Sequence, residues 1–443
     1  MKPPPNQIHN YFSVSGTLKK NERQLLSAKV VAILLVVFGT LHSYCAQGAD
    51  VQRDNAHWVN TWTAGPMPPW AGAPLAPGFF DQTVRQIVRI SLGGDRVRVR
   101  LSNEFGLRPV EIAAAHIALS GPEGTIQTDT DRSITFSGKS TVTLLPGAPI
   151  ISDAVDLKVP SLAHLAISLY FANRAEIRTY HLEADETAYI SSLGNFVSAQ
   201  KMPTADKVTS RFFLTGVMVN APANARVVIA FGDSITDGTR STVDADNRWP
   251  DHLAERFCNS PDQGPVAVVN EGIGGNRVLS DGMGIKALAR FDRDVLSQPG
   301  VSHVILLEGI NDIGWPGTFL TPPEEVVTPE RIIYGYQQLI DRAHLAGIKI
   351  VGGTLTPFED SFAGAPLQTF YNPEKEKIRQ EVNEWIRNGG AFDGVIDFDA
   401  AVRDPKSPSR IRAEYDGGDH LHPNDAGYKA MSDAVDLKTL GGR

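Results

Sequence analysis

Residues 50–220 carry short runs in which apolar and polar residues alternate, with turn residues between the runs. The alternation is clear over 88–92 and again over 97–101, on either side of Gly93-Gly94-Asp95. A period of two turns every second side chain to the same face, so these runs predict strands, and we expect this pair to form a hairpin with one buried face. Because no long stretch here shows helical spacing, the region predicts an all-β domain of the sandwich or jelly-roll type.

The pattern changes after the plain segment 221–225, which we take as a linker, so a second domain is predicted over 226–443. Continuous apolar runs now alternate with stretches of helical spacing. The predicted strands are 227–231, 266–270, 304–307, 348–355 and 395–398, and the predicted helices are 248–257, 285–297, 329–346, 373–388 and 424–437. Apolar strands separated by helices indicate an α/β domain with a parallel sheet covered on both faces.

Residues 1–49 have the order of a secretory signal peptide, in which a basic stretch precedes an apolar run and small residues follow. A single membrane anchor is the alternative, but about twelve apolar residues fall short of the roughly 20 that span a bilayer. We therefore expect cleavage near Ala49 and export to the periplasm or the medium. The mature chain would then keep only Cys258 of the two cysteines, which excludes an internal disulfide.

The composition is that of a globular protein, with 42% hydrophobic and 21% charged residues. Residues 1–49 hold five of the 42 basic and one of the 50 acidic residues, so the rest of the chain has a net charge of −12. This acidic balance argues against nucleic acid or an anionic membrane as a partner.

Polar residues follow the predicted strands at the points where a parallel sheet presents groups to a crevice. There are four such blocks, and the last one precedes the final helix. They are Gly232-Asp233-Ser234-Ile235, Gly272-Ile273-Gly274-Gly275-Asn276, Gly309-Ile310-Asn311-Asp312 and Asp419-His420-Leu421-His422. Each block alone is also typical of an ordinary turn or helix cap.

Together, in this order, the blocks resemble the GDSL or SGNH hydrolase family from about Val227 to the C-terminus. The resemblance implies a three-layer, flavodoxin-like hydrolase domain without a cofactor. It also implies that Ser234 is the nucleophile, that Asp419 and His422 complete the triad, and that Gly275 and Asn311 serve the oxyanion hole.

The chemistry of these residue types agrees with those roles. A serine hydroxyl becomes nucleophilic when a base takes its proton, which His422 would do, and Asp419 would orient the imidazole and balance its charge. The backbone amides of Ser234 and Gly275 and the side-chain amide of Asn311 would stabilise the oxyanion. Asp233 and Asp312 are expected to order the loops by hydrogen bonding.

Residues of the last block invite a second interpretation, because acidic and histidine side chains are dense there. They are Asp416, Asp419, His420, His422 and Asp425. The triad accounts for the pair that matters, so we predict no metal site.

The substrate is less well defined by the sequence. Arg277, Trp249 and Trp315 follow the blocks and could contact it, although tryptophan is commonly a core residue. The layout also resembles bacterial acetylxylan esterases, which suggests a small-molecule or polysaccharide ester with a short acyl group. A lipase or lysophospholipase, an acyltransferase using the same serine, and a carbohydrate-binding protein without activity remain alternatives.

Overall fold

A computed structural model describes residues 56–70, 78–321 and 327–441 of the chain. The predicted signal peptide and Cys45 lie outside these residues. Residues Ala56–Arg443 form one compact unit. Among the helices that the structure describes, none combines the length and the apolar character that a membrane span requires.

The half of this unit before residue 222 is built from short strands joined by turns. Its strands are β1 (His57–Thr63), β2 (Gln82–Arg89), β3 (Gly94–Ser102), β4 (Val110–Ile112), β5 (Ala114–Leu119), β6 (Arg132–Ser133), β7 (Val142–Leu144), β8 (Pro149–Ile151), β9 (Val155–Val159), β10 (His164–Phe171), β11 (Tyr180–His181), β12 (Ala188–Leu193), β13 (Thr204–Val208), β14 (Arg211–Phe212) and β15 (Leu214–Ala221).

These strands form two main antiparallel sheets. One has the order β1-β15-β3-β8 with β9 also paired to β3, and the other has the order β13-β12-β2-β10-β5-β6. Alternate residues of both sheets enter the same buried hydrophobic cluster, for example Val97 and Val99 of β3 and Leu165 and Ile167 of β10. The strand-rich character predicted for this half is confirmed, whereas its assignment to a sandwich or a jelly roll stays a prediction.

The predicted hairpin over 88–101 is wrong. Strand β2 pairs with β10 and β12 in one sheet, while β3 pairs with β15, β8 and β9 in the other. The connection between them crosses from sheet to sheet, and its backbone amides Ile90 N and Ser91 N donate to Ala163 O and Thr61 O. Alternation reports that one face of a strand is buried, but it does not identify the neighbouring strand.

The half after residue 225 alternates strands and helices. Its elements are β16 (Arg226–Gly232), α1 (Ser234–Asp237), α2 (Trp249–Cys258), β17 (Val266–Gly272), α3 (Ala287–Phe291), β18 (Val301–Leu307), α4 (Ile310–Gly314), α5 (Pro329–Leu345), β19 (Lys349–Gly353), α6 (Pro373–Asn388), β20 (Gly394–Ile396), α7 (Phe398–Val402), β21 (Arg403–Asp404), β22 (Ser407–Ile411) and α8 (Asp425–Asp433).

The five strands β16 to β20 form a parallel sheet in the order β17-β16-β18-β19-β20. Numbered from β16, this is the order 2-1-3-4-5 of doubly wound sheets, in which the crevice lies at the carboxyl ends of the first and third strands. The predicted α/β character is confirmed, and the three-layer description stays a prediction. The carboxyl ends of β16, β17 and β18 carry the first three polar blocks.

The two halves contact each other beside this crevice. Strand β1 packs against β17, and Thr63 Oγ1 donates to Asn270 O at 3.0 Å. Pairing changes from antiparallel to parallel between β15 and β16, where the linker was predicted. The division into separate domains at that point stays a prediction.

Candidate active site

Ser234 lies at the carboxyl end of β16, where the strand enters the single helical turn α1. The Asp233 carboxylate caps this turn by accepting from Ile235 N at 3.0 Å. Gly238 ends it in the left-handed region with φ +111, and its amide donates to Ser234 O at 2.8 Å. A side chain at 238 would also collide with Arg248. These short-range contacts fix the turn that presents the hydroxyl.

The structure brings Ser234, His422 and Asp419 together. Ser234 Oγ lies 2.8 Å from His422 Nε2, and His422 Nδ1 lies 2.9 Å from Asp419 Oδ2. Asp419 Oδ1 accepts from the backbone amides of Leu421 and His422 at 3.1 and 2.9 Å. His420 at φ +60 lets the chain fold back between the two catalytic candidates. This is the geometry of a serine, a base and an orienting carboxylate.

The Asp419 carboxylate is strongly stabilised in its charged form. Burial by itself would raise the pKa of Asp419, but hydrogen bonds and charge from His422, together with a hydrogen bond from Arg240, hold it well below its ordinary value. Arg240 Nε donates to Asp419 Oδ2 at 2.9 Å. Sequence inspection missed Arg240, because nothing in its neighbourhood distinguishes it from a surface arginine. Asp419 is thus an ionised acceptor that keeps its hydrogen bond to His422 Nδ1.

Two of the proposed oxyanion donors, Gly275 and Asn311, follow β17 and β18. Gly275 has φ +68, a conformation that favours glycine, and a β-carbon there would also displace the Met283 side chain. Asn311 is buried on α4, and its Nδ2 donates to Asn276 O at 2.9 Å. An amide nitrogen carries two hydrogens, so a second one remains for a substrate oxygen. The loop that contains Gly275 and the helix that contains Asn311 are therefore joined by a direct hydrogen bond.

Asp312 ties the same two loops together. Its carboxylate accepts from Val278 N at 2.7 Å and from Leu279 N at 3.0 Å. Burial raises the pKa of Asp312 to about 6 despite these bonds. The hydrogen-bonding role predicted for Asp233 and Asp312 is what the geometry shows.

A buried arginine that the sequence did not reveal connects the three strand ends beneath the nucleophile. Arg290 on α3 donates to Gly232 O, Glu271 O and Asn276 Oδ1, each at 2.8 Å. It also pairs with Asp294 at 3.0 Å and with Glu308 at 3.4 Å. The one available signal was a charge on a helix face whose other members, such as Ala287 and Phe291, are buried. Arg290 therefore joins the ends of β16 and β17 to Glu308, which follows β18, and to Asn276 in the loop after β17.

A cavity of about 580 Å³ opens beside Gly275. Arg277 and Trp315, which were suggested for substrate contact, line it, and Trp70 of the strand-rich half forms part of the wall. Their contact with a substrate stays a prediction. Met283, Phe319 and Leu320 add apolar surface. The structure thus places two of the three suggested substrate residues at one cavity.

The suggestion that Trp249 contacts substrate is wrong. Trp249 is 0% exposed at the start of α2 and packs against Phe398, with ring centroids 5.4 Å apart. Its indole belongs to the buried hydrophobic core and does not line the cavity.

The dense acidic and histidine block separates into distinct contacts. Asp416 pairs with His420, while Asp425 accepts from Thr242 and Asn247. Among the described residues, the group whose donor atoms are close enough for a metal ion is His164, Glu186 and Asp246.

Arginines already contact that group, since Arg89 lies 3.5 Å from Asp246 and Arg211 lies 3.3 Å from Glu186. We therefore describe His164, Glu186 and Asp246 as part of an ion-pair network between the two halves.

Residues 230–430 match the model of the GDSL-like lipase/acylhydrolase family. No curated protein matches the chain in sequence. Among solved structures, the chain is similar to an aryl esterase of M. smegmatis, with 17% identity and a TM-score of 0.38 over 48% of this chain and 98% of that one. A carbohydrate acetylesterase from Sinorhizobium meliloti gives the same four values. A GDSL-like lipase from Bacteroides thetaiotaomicron gives 17% identity and a TM-score of 0.35 over 48% of this chain and 88% of that one.

Proposed function

On the premise that residues 230–430 are a GDSL-like lipase/acylhydrolase domain and the chain an ester-hydrolysing enzyme, we propose that it cleaves carboxylic esters through an acyl-enzyme on Ser234. The observation that carries this mechanism is the unbroken series of contacts from Ser234 Oγ to His422 and from His422 to Asp419. All three side chains are buried, with Ser234 at 7% exposure, so solvent competes little for these hydrogen bonds.

The first half of the reaction transfers the acyl group to the enzyme. His422 Nε2 takes the hydroxyl proton as Ser234 Oγ bonds to the ester carbonyl carbon, and Asp419 balances the imidazolium that forms. The carbonyl oxygen becomes an oxyanion that accepts from the amides of Ser234, Gly275 and Asn311. The tetrahedral intermediate then expels the alcohol, which takes the proton from His422.

The second half regenerates the enzyme. Water takes the place of the alcohol and gives its proton to His422 as its oxygen bonds to the acyl carbon. The second tetrahedral intermediate collapses, the bond to Ser234 Oγ breaks, and the serine recovers its proton from His422. The products are a carboxylic acid and an alcohol.

For the substrate we propose short acyl esters of carbohydrates, acetyl esters foremost. Trp70 and Trp315 supply aromatic faces at the cavity, and such faces pack well against sugar rings. Met283 Sδ lies against Gly275, so we expect Met283 to limit the room for the acyl group of a bound ester. Aromatic walls for the alcohol and limited room for the acyl group support this substrate class.

A longer acyl chain is the second candidate, because apolar side chains lie exposed at the cavity. Phe319 is 71% and Leu320 44% exposed. Exposed apolar surface beside a cavity is typical of a contact with an apolar ligand. This observation favours a lipase or lysophospholipase activity.

A panel of substrates separates the two candidates. Acetylated xylan, acetylated pectin fragments and p-nitrophenyl esters of rising chain length would be compared by kcat/KM, with Ser234→Ala as the inactive control. The proposal predicts release of acetate from a polysaccharide and a fall in kcat/KM as the acyl chain lengthens. A rise in kcat/KM with chain length would replace it with the lipase-type activity, and turnover retained by Ser234→Ala would contradict the acyl-enzyme itself.

We also propose that the enzyme is exported and acts in the periplasm or the medium on a small-molecule or polysaccharide ester. Within residues 1–49 a basic stretch is followed by an apolar run and then by small residues, and this pattern supports export. Expression of the full chain in a bacterial host, followed by cell fractionation and N-terminal sequencing, tests it. A secreted product beginning near residue 50 is expected, and an uncleaved cytoplasmic product would contradict export.

A further inference from the structure

The helical turn α1, which carries Ser234, is held by contacts within the half after residue 225, called here the hydrolase half. Asn270 Nδ2 donates to Thr236 O at 2.7 Å. Gly272 approaches the backbone of Asp237 so closely that a β-carbon at 272 would lie 2.2 Å from Asp237 N. These contacts hold the turn against β17. The side chain of Asp237, the last residue of the turn, pairs instead with a residue outside this half.

That partner is His181, which belongs to the strand-rich half. His181 Nε2 lies 2.9 Å from Asp237 Oδ1, and the two side chains are 4% and 3% exposed. His181 Nδ1 lies 3.0 Å from Gly65 O, and Nε2 also lies 3.2 Å from Glu183 O. A residue 53 positions before the nucleophile in sequence thus contacts the last residue of its helical turn.

The partners of His181 indicate its charge. Both ring nitrogens face oxygen acceptors, and a neutral imidazole has a single N–H to donate. The imidazolium satisfies Gly65 O and the Asp237 carboxylate together. Burial alone would lower the pKa of His181, but the charge and hydrogen bond of Asp237, with the bonds to Gly65 and Glu183, outweigh it and raise the pKa.

A second contact from the same strand-rich segment reaches the residues just after the turn. Glu183 Oε2 accepts from Thr239 Oγ1 at 3.1 Å, and Thr239 N donates to Ser234 O at 3.0 Å. The segment 181–183 therefore contacts the nucleophile turn at its end and just beyond it. The hydrolase half and the strand-rich half enclose the turn between them.

We propose that His181 is a positioning residue for Ser234, so that the strand-rich half is part of the catalytic apparatus and not only a surface for substrate. This inference rests on the proposed role of Ser234. The His181–Asp237 ion pair fixes the end of α1, and through it the direction of the hydroxyl toward His422. Removal of His181 leaves a buried carboxylate without its counter-charge three residues from the nucleophile, and the turn must shift to rehydrate it.

The expected effect follows from the sensitivity of catalysis to small displacements. A misplacement of about 1 Å costs roughly a factor of 10². For His181→Gln we therefore expect kcat on p-nitrophenyl acetate to fall between about 10-fold and about 100-fold. KM should stay within about twofold, because the cavity walls do not include His181.

A matched variant separates positioning from simple docking of the two halves. His164 is also a histidine of the strand-rich half, and it pairs with an aspartate of the hydrolase half, Asp246, at 2.9 Å. Asp246 precedes α2 and does not belong to the nucleophile turn. His164→Gln should thus lower the thermal midpoint while leaving kcat within about twofold.

The experiment measures kcat, KM and the thermal midpoint of the full chain and of the variants His181→Gln, Asp237→Asn, their double variant and the control His164→Gln. The inference predicts that both single variants lower kcat, that the double variant falls no further than the worse single one, and that His164→Gln spares kcat. If His181→Gln does not fold, Asp237→Asn tests the same contact from the other side. An unchanged kcat in the folded variants, or an equal loss in His164→Gln, would overturn the inference.

Failure of this inference differs from failure of the proposed function. Turnover that survives Ser234→Ala would contradict the acyl-enzyme mechanism itself. Turnover abolished by Ser234→Ala but unaffected by His181→Gln and Asp237→Asn would leave the mechanism standing and remove only the positioning role.

Discussion

The candidate catalytic cluster and the cavity beside Gly275 are built in different ways. Ser234, His422 and Asp419 are buried and held by several hydrogen bonds each, on turns that directly follow strands or precede a helix. The cavity draws its walls from loops, and its side chains include the largely exposed Phe319 and Leu320. The difference teaches that the candidate catalytic groups are positioned by contacts within short segments, whereas the cavity walls come from segments far apart in sequence.

The largest effect is expected from breaking the triad at its carboxylate. Asp419→Asn replaces one acceptor with an amide that can donate to His422 Nδ1, which favours the wrong tautomer of the base. We expect kcat to fall by about 10⁴-fold with little change in KM.

Steady-state kinetics with p-nitrophenyl acetate measure this loss. Asp433→Asn is the control, since Asp433 forms an exposed pair with Lys429 and should leave kcat within about twofold. A loss below tenfold in Asp419→Asn would show that His422 works without its carboxylate.

The next effect tests whether the cluster depends on the buried network beneath it. Arg290→Met removes the donor shared by Gly232 O, Glu271 O and Asn276 Oδ1 and takes away the arginine that pairs with Glu308. Asp294 loses the same partner but keeps its pair with Arg293. Loss of one member of a buried ion pair costs about 3–5 kcal/mol. Urea unfolding should show a loss of this size in the free energy of unfolding. A cost near zero would mean that the strand ends hold their register without Arg290.

The third effect tests the proposed oxyanion hole. It concerns the reaction barrier and not the free energy of unfolding. Asn311→Ala removes one donor, and such a loss costs about 2.7–4 kcal/mol in the barrier. We expect kcat to fall by about 10²–10³-fold while KM changes little. Separate measurement of kcat and KM checks this, and a raised KM at constant kcat would place Asn311 in substrate binding instead.

A smaller effect sharpens the contrast between chemistry and selectivity. Met283→Ala frees space beside Gly275 without touching the triad, so longer acyl groups should gain relative to acetate. A methylene in an apolar pocket is worth about 1–3 kcal/mol. The ratio of kcat/KM for p-nitrophenyl butyrate to that for the acetate should therefore rise by about tenfold or more. An unchanged ratio would show that Met283 does not border the acyl group.

The smallest effect is the pH dependence of the stability that the His181–Asp237 pair contributes between the two halves. Because the pKa of His181 is raised in the folded protein, its pair with Asp237 contributes stability that is full below the unfolded pKa of about 6.5 and is lost as pH rises through the folded value. Asp185, Glu183 and Arg248 also act on this site and remain in the variant.

The difference in unfolding free energy between the full chain and His181→Gln should accordingly shrink with rising pH above about 6.5. Chemical denaturation over a series of pH values measures it. A difference that grows with pH would mean that His181 is neutral in the folded state.

The parts of this molecule that the sequence predicts are those encoded by near neighbours. The Asp419 and His422 pair lies on one turn, three residues apart, and strand ends mark Ser234 and Asn311. Apolar runs likewise located the five parallel strands, because strands covered on both faces are apolar throughout.

The parts that escaped prediction depend on distant partners. Alternation over 88–101 did not reveal that β2 and β3 belong to different sheets. Trp249 follows a loop in sequence but is covered from all sides in the fold. Arg290 and His181 act through partners on other elements, and neither has a local motif.

The central claim is that Ser234 attacks the substrate and carries the acyl group. Mass spectrometry of the protein after incubation with a p-nitrophenyl alkylphosphonate tests it most directly, since the reagent leaves a stable phosphonyl group on an activated serine. The account predicts one adduct per chain on the peptide that contains Ser234, formed together with loss of esterase activity and absent from His422→Ala. An adduct on another serine, or inactivation that leaves Ser234 unmodified, would contradict it.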